Sequence, residues 1–315
     1  MPTPAEVARQ HYATRARLVA AVAVEAVRLW RQVAPGRIAD SWRSLIPRLL
    51  VVLVGAQQAA AARADDYLDA VLGAQGIPSQ ARGRTDSRPL SGIASDGRDL
   101  VGLLYQPVVA TLVGIRDGAT VDRALALGHS DLDMIVRTQV ADAGRVADQV
   151  ALTARPAATG YVRMVVGRTC SRCIVLAGQF YQWNAGFERH PQDDCVHVPS
   201  AEDTGDDIRT DPKAIFESMT AAEQDRVFTA AGAQAIRDGA DINQVVNARR
   251  GMTTAASGRL ARNEAGLFTT TEGASRRRAR RGRGVDRLMP ESIYELAAGD
   301  RDEAVRLLRL HRYLV

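Results

Sequence analysis

All three cysteines of the chain lie between residues 170 and 195, together with two of its five histidines within the span 170–197. Cys170 and Cys173 are two residues apart, and His190, Cys195 and His197 follow. Cysteines at that spacing can place both thiolates on one ion through a tight turn. A structural zinc ion takes four such ligands in a tetrahedron, at about 2.0–2.3 Å. Cys170, Cys173, His190 and Cys195 supply a closed set, with Asp193 or His197 as substitutes. A closed set leaves no position for water, so this chemistry is structural rather than catalytic. The plain alternative is a group of ordinary thiols in a small core, because Cys-x-x-Cys alone is a modest signal.

A second chemistry competes for the same atoms. On an extended strand, Cys195 and His197 share a face, so an imidazole can stand beside the thiol. A neighbouring imidazolium activates a thiol as a nucleophile, which makes Cys195 with His190 or His197 the candidate pair for a cysteine protease. No oxyanion hole or third orienting residue can be named. His129-Ser130-Asp131 is not read as a hydrolase triad, since a triad is recognised by geometry rather than adjacency. Ser130 instead reads as a helix cap with Asp133 three residues on, and there is no Gly-x-Ser-x-Gly elbow. Arg276, Arg277, Arg278, Arg280, Arg281 and Arg283 can bind DNA phosphates without sequence preference. No aromatic side chain interleaves them, so base stacking is not indicated. Tyr161, Phe180, Tyr181, Trp183 and Phe187 surround the cysteines and read as a small core.

The elements that must position these residues are mostly helical. Residues 3 to about 74 read as two long helices, the first carrying Val19, Val22, Ala26, Leu29, Trp30 and Val33 at three- and four-residue spacing. Pro35-Gly36 stops it, and the second follows through Trp42, Leu45, Leu49 and Leu53, with Pro47 as a kink or a true start. Residues 75–98 read as a loop. Further helices are expected over roughly 99–116, 119–127 and 131–154. Short strands and turns then carry the cysteines, and 201–210 is an Asp/Gly-rich linker. A helical hairpin is expected over 211–248, with Thr220 and Glu223 as a capping box. A helix pair, 290–298 and 300–313, follows. The resulting division is 1–98, 99–200, 201–248, 249–288 and 289–315: helical region, cysteine-bearing unit, hairpin, basic flexible linker and closing helix pair. The fold class is mainly α, with a small α+β unit at its centre.

Composition agrees. Hydrophobic residues make up 46% of the 315 residues but aromatics only 5%, and an Ala/Val/Leu-rich chain favours helices. The formal charge is +5. Residues 249–287 hold 11 Arg against Glu264, Glu272 and Asp286, a net +8, which leaves −3 on the rest. This is a near-neutral body with one basic segment. An odd cysteine count is poor material for a disulfide framework. Glu6 and Arg9 argue against a signal peptide, and the apolar stretch Leu49–Val54 is too short to span a bilayer. Synthesis in the host cytoplasm, with no membrane partner, is the expectation.

The segment GYVRMVVGRTCSRCIVLAGQFYQWNAGFERHPQDDCVHVP, residues 160–199, resembles the signature of the Mu F-like head-morphogenesis (minor capsid) proteins of tailed phages. Those show Cys-x-x-Cys, a Gly-containing turn, an aromatic and then His-Pro-x-Cys-x-Cys. Cys170, Cys173, Gly178, Tyr181, His190, Pro191 and Cys195 match. Arg137-Thr138-Gln139, expected near a helix start, resembles the family's Arg-Thr-Glu element. The closing Met289–Tyr294 and Asp302–Leu308 are similar to the actinobacteriophage branch. One departure is Asp193, where the family has its first Cys after His-Pro. The resemblance implies a minor head component that engages portal and coat proteins during procapsid assembly and stays in the virion, where the basic segment meets packaged DNA. Proteins of this kind are also commonly labelled capsid maturation proteases, which is the alternative.

Overall fold

Thr3 accepts a hydrogen bond from the Glu6 amide at 3.2 Å, and the Glu6 carboxylate accepts from the Thr3 amide at 2.7 Å. This reciprocal cap, with Pro4 in the first turn, starts α1 (Pro4–Trp30). A computed structural model of the chain describes residues 1–166, 169–185, 195–201, 211–252, 254, 260–272 and 287–314. It is mainly α-helical and divides into two units, Met1–Val166 with Gly178–Arg209, and Gly167–Ala177 with Thr210–Val315.

In the first unit, α1 is followed by α2 (Ile38–Ala61), α3 (Ala64–Gly73), α4 (Leu100–Arg116) and α5 (Val121–Thr153). Three helices stand where two were expected up to residue 74, and Pro47 lies inside α2 rather than at its start. α1 to α2 turns through Pro35–Arg37, and Trp30 meets Trp42 edge to face across it, with centroids 4.9 Å apart. Each indole also finds an acceptor: Trp42 donates to the Leu104 carbonyl at 2.7 Å and Trp30 to the Leu125 carbonyl at 3.0 Å. Val22, Leu29, Leu49, Leu53, Leu104, Val108, Leu132, Val136 and Val140 fill the core between α1, α2, α4 and α5. By length and composition the stretch Pro35–Gly73 is apolar enough to cross a membrane. Here α2 spends Trp42, Leu45, Leu49 and Leu53 on the bundle core.

The break expected between two helices near residues 128–130 is absent, and α5 runs unbroken for 33 residues from its cap Thr120. Ser130 is therefore no cap; its hydroxyl donates to the Ala126 carbonyl at 3.2 Å inside the helix. Gly128 shows how tightly the unbroken helix packs at this point. A Cβ there would meet Thr111 Oγ1 at 2.1 Å, Trp30 at 2.7 Å and the Pro107 carbonyl at 2.8 Å, so the glycine is a packing requirement rather than a breaker. Arg137-Thr138-Gln139 likewise sits in the middle of α5. The loop expected over 75–98 is present and is pinned by two buried glutamines. Gln57 donates to the Ile93 carbonyl and accepts from the Gly92 amide, both at 3.0 Å, while Gln139 accepts from the Ser95 amide at 2.7 Å.

The expected short strands follow: β1 (Gly160–Val165), β2 (Phe180–Gln182) and β3 (Cys195–Ser200), antiparallel in the order β2-β1-β3. Val162, Met164, Val196 and Val198 pack into a second core with Ala8, Leu68, Leu72 and Ala151.

The second unit holds α6 (Ser171–Val175), α7 (Pro212–Ser218), α8 (Ala221–Phe228), α9 (Ala230–Arg237), α10 (Ile242–Ala248), the pair β4 (Thr269–Thr270) and β5 (Arg287–Leu288), and then α11 (Pro290–Ala297) and α12 (Arg301–Leu310). The closing helix pair and the Thr220–Glu223 capping box are as expected, but four short helices replace the hairpin. α8 passes into α9 through Thr229 at φ 68°, whose hydroxyl accepts from Arg249 at 2.7 Å. Within the stretch read as a linker, Arg287 is buried under the Tyr313 ring, 3.7 Å from its centroid. Arg276, Arg277, Arg278, Arg280, Arg281 and Arg283 lie outside the described residues. The core of this unit is Ile174, Val175, Phe216, Phe228, Ile236, Val245, Ile293, Leu308 and Tyr313.

Candidate functional site

The β1–β3 register places Val165 opposite Cys195, Arg163 opposite His197 and Tyr161 opposite Pro199. Alternation then puts Tyr161, Arg163, Cys195 and His197 on one face of the sheet, as the two-residue spacing of Cys195 and His197 requires. Arg163 reaches along this face and its Nε donates to Cys195 Sγ at 3.1 Å. Arg163 and Cys195 are each 1% exposed. The His197 ring stacks on Tyr161 at 4.4 Å between centroids, and Tyr161 stacks on Tyr181 at 5.4 Å. Burial, ahead of any neighbouring charge, raises the Tyr181 hydroxyl above its usual range.

A buried charge cluster stands beside this sheet. His11 and Arg15 on α1 both reach Asp148 on α5. His11 Nε2 lies 3.1 Å from each carboxylate oxygen and donates to them, and Arg15 Nη1 donates to Oδ2 at 3.0 Å. The His11 ring lies flat on Tyr67 at 3.9 Å, and the Tyr67 hydroxyl donates to the His197 carbonyl at 2.5 Å. Burial pushes the Asp148 carboxyl up, but His11 and Arg15 outweigh it and hold the group at about 2. Tyr67 is raised well above its usual range, first by burial and then by the Asp148 charge. No pattern of neighbouring residues announces this cluster, because Asp148 is more than 130 positions from His11 and Arg15 in the chain. The available signal is that His11 and Arg15 occupy core positions of α1, in step with Ala8 and Val22; a charged pair there requires a buried acid.

Cys170 and Cys173 belong to the second unit, and Cys195 and His197 to the first. Cys170 caps α6, its Sγ accepting from the Cys173 amide at 3.4 Å, and the two sulfurs are 3.5 Å apart. Two sulfurs bound at about 2.3 Å to a tetrahedral ion stand about 3.8 Å apart, so this pair fits half of a zinc site. His190 and Asp193 lie outside the described residues. Among the described residues, no three His, Cys, Asp or Glu side chains stand together as a ligand set.

In comparison with protein families, the model of the VG15 protein family aligns with residues 1–222. Comparisons with curated proteins and with solved structures return no match. The match takes in the whole first unit, the Cys170–Cys173 turn and α7. On that coverage, well over half of the 315 residues, the chain belongs to the VG15 family of viral proteins.

Proposed function

We propose that the chain is a minor head component of a tailed phage, of the Mu F-like kind, which docks on portal and coat subunits during procapsid assembly and is retained in the virion. The observation that carries this reading is the viral family match over residues 1–222, joined to the Mu F-like pattern of Cys170, Cys173, His190 and Cys195. A docking role also has a surface to use. Val101, Val109, Leu112 and Val113 are exposed along one face of α4, an apolar stripe of the kind that marks protein contacts. Co-expression with the phage's portal and coat proteins tests it. The chain co-purifies with portal or with procapsids, and the double substitution Val109→Glu with Leu112→Glu abolishes this while changing the unfolding free energy by less than about 1 kcal/mol. Retention of the double variant on procapsids removes α4 as the contact; no association of the wild-type chain removes the reading.

The same reading includes a structural zinc ion, anchored by the Cys170 and Cys173 thiolates, with His190 a further ligand that the sequence supplies. Zinc here would contribute folding energy rather than chemistry. The protein as purified then carries about one zinc per chain, and a chelator lowers its melting temperature. Metal-free protein of unchanged stability refutes the ion. Arg276–Arg283 is assigned to non-specific contact with packaged DNA, which weakens steeply between about 50 and 200 mM salt.

A second reading, the capsid maturation protease, draws on one arrangement: Cys195 and His197 share a sheet face with Arg163 at the sulfur. Against it, the Cys195 thiol is buried and already accepts from Arg163, which suits a packed position better than a nucleophile open to a coat polypeptide. Cys195→Ser separates the two. Normal coat and scaffold termini in that variant exclude the protease, whereas intact folding with untrimmed coat supports it.

A further inference from the structure

The geometry points to Cys170 and Cys173 as a reversible dithiol–disulfide site that a small-molecule disulfide, such as oxidised glutathione, can close. Three features of the second unit, and one of the first, support this. The sulfurs are 3.5 Å apart before any bond forms. The Cys173 amide donates to Cys170 Sγ at 3.4 Å, which holds that sulfur over the turn. Cys170 is half-buried, whereas Cys173 is 1% exposed; one sulfur can be reached from solvent and its neighbour is shielded. Cys195, the remaining cysteine, belongs to the other unit and is engaged by Arg163 there.

That asymmetry sets the order of events. The Cys170 thiolate attacks one sulfur of glutathione disulfide, its S–S bond breaks, and one glutathione leaves and takes up the proton that Cys170 lost. Cys173, as thiolate, then attacks Cys170 Sγ. The mixed disulfide breaks and the second glutathione leaves as its thiol. Two protein thiols have been oxidised to one disulfide, and one glutathione disulfide has been reduced to two glutathiones.

A sulfur in a disulfide cannot hold zinc as a thiolate, so closing the pair and binding the ion exclude each other. As regulation of a zinc site this rests on the reading above; the disulfide itself does not. A chain made in a reducing cytoplasm and carried out in a particle would meet such oxidants only after assembly.

The test uses the full-length protein, metal-stripped and with one equivalent of zinc, equilibrated in glutathione buffers of increasing oxidised fraction. Samples are acid-quenched, alkylated with N-ethylmaleimide under denaturing conditions and mapped by mass spectrometry. Metal-free protein is expected to lose about 2 Da, to carry an adduct on Cys195 alone, and to regain adducts on Cys170 and Cys173 after dithiothreitol. Cys195→Ser should behave in the same way, while Cys170→Ser and Cys173→Ser should give no internal disulfide. Adducts on both Cys170 and Cys173 at every buffer ratio, or glutathione adducts without the internal bond, overturn the proposal. Zinc should move the midpoint at least tenfold toward oxidised glutathione. Disulfide formation with no zinc shift sinks the zinc reading and leaves the redox site standing.

Discussion

Asp148 is the buried acid at the centre of a charge cluster in the first unit. It is enclosed, it meets both His11 and Arg15, and its carboxyl is held at about 2 against an ordinary 3.8. Replacing it by Ala leaves Arg15 buried without a counter-charge, a loss of about 3–5 kcal/mol. The sign of the pH effect follows from the depressed value. The stabilisation, about 2 kcal/mol by linkage, is fully present above pH 3.8 and is lost as pH falls toward 2. Urea unfolding of wild type and Asp148→Asn should therefore differ most near pH 5 and converge near pH 2; a constant gap contradicts the assignment. At this scale the sequence told its story unevenly. The Cys195–His197 face was legible because a strand alternates every second residue. The His11–Arg15–Asp148 cluster was not, because charge pairing across the fold leaves no spacing to read.

Elements were legible where local chemistry sets their ends. The Thr220–Glu223 box starts α8, and the closing pair α11 and α12 lies where its apolar spacing placed it. They were misread where tertiary packing overrides a local signal. Ser130 with Asp133 looks like a helix start, yet α5 runs through it, and α4 and Trp30 press on the bare backbone at Gly128 just before it. Pro47 sits within α2 on its exposed side. The hairpin expected over 211–248 breaks at Thr229, where a β-branched residue holds a positive φ and is fixed by Arg249, a conformation that spacing rules do not anticipate. Gly128→Val tests the packing explanation. It should lower the stability of the first unit by about 1–3 kcal/mol or more, seen as a lower urea midpoint, whereas Gly55→Ala, with nothing within 4 Å of the added Cβ, should be neutral or slightly stabilising. Equal effects at the two glycines would contradict it.

For the whole molecule, the chain falls into two packed units; in the first, α1, α2, α4 and α5 share one core, while α3 packs with the end of α5 and the sheet in a second. The family match ends at residue 222, just inside α8, so the rest of the second unit and the basic segment lie beyond what the VG15 match describes. Protein mass spectrometry of purified mature heads tests the central claim directly. Peptides of both units, from 1–166 and from 287–314, should co-purify with coat through gradient sedimentation and resist external protease until the heads are opened. Heads that are complete and infectious but hold no trace of the chain would contradict it.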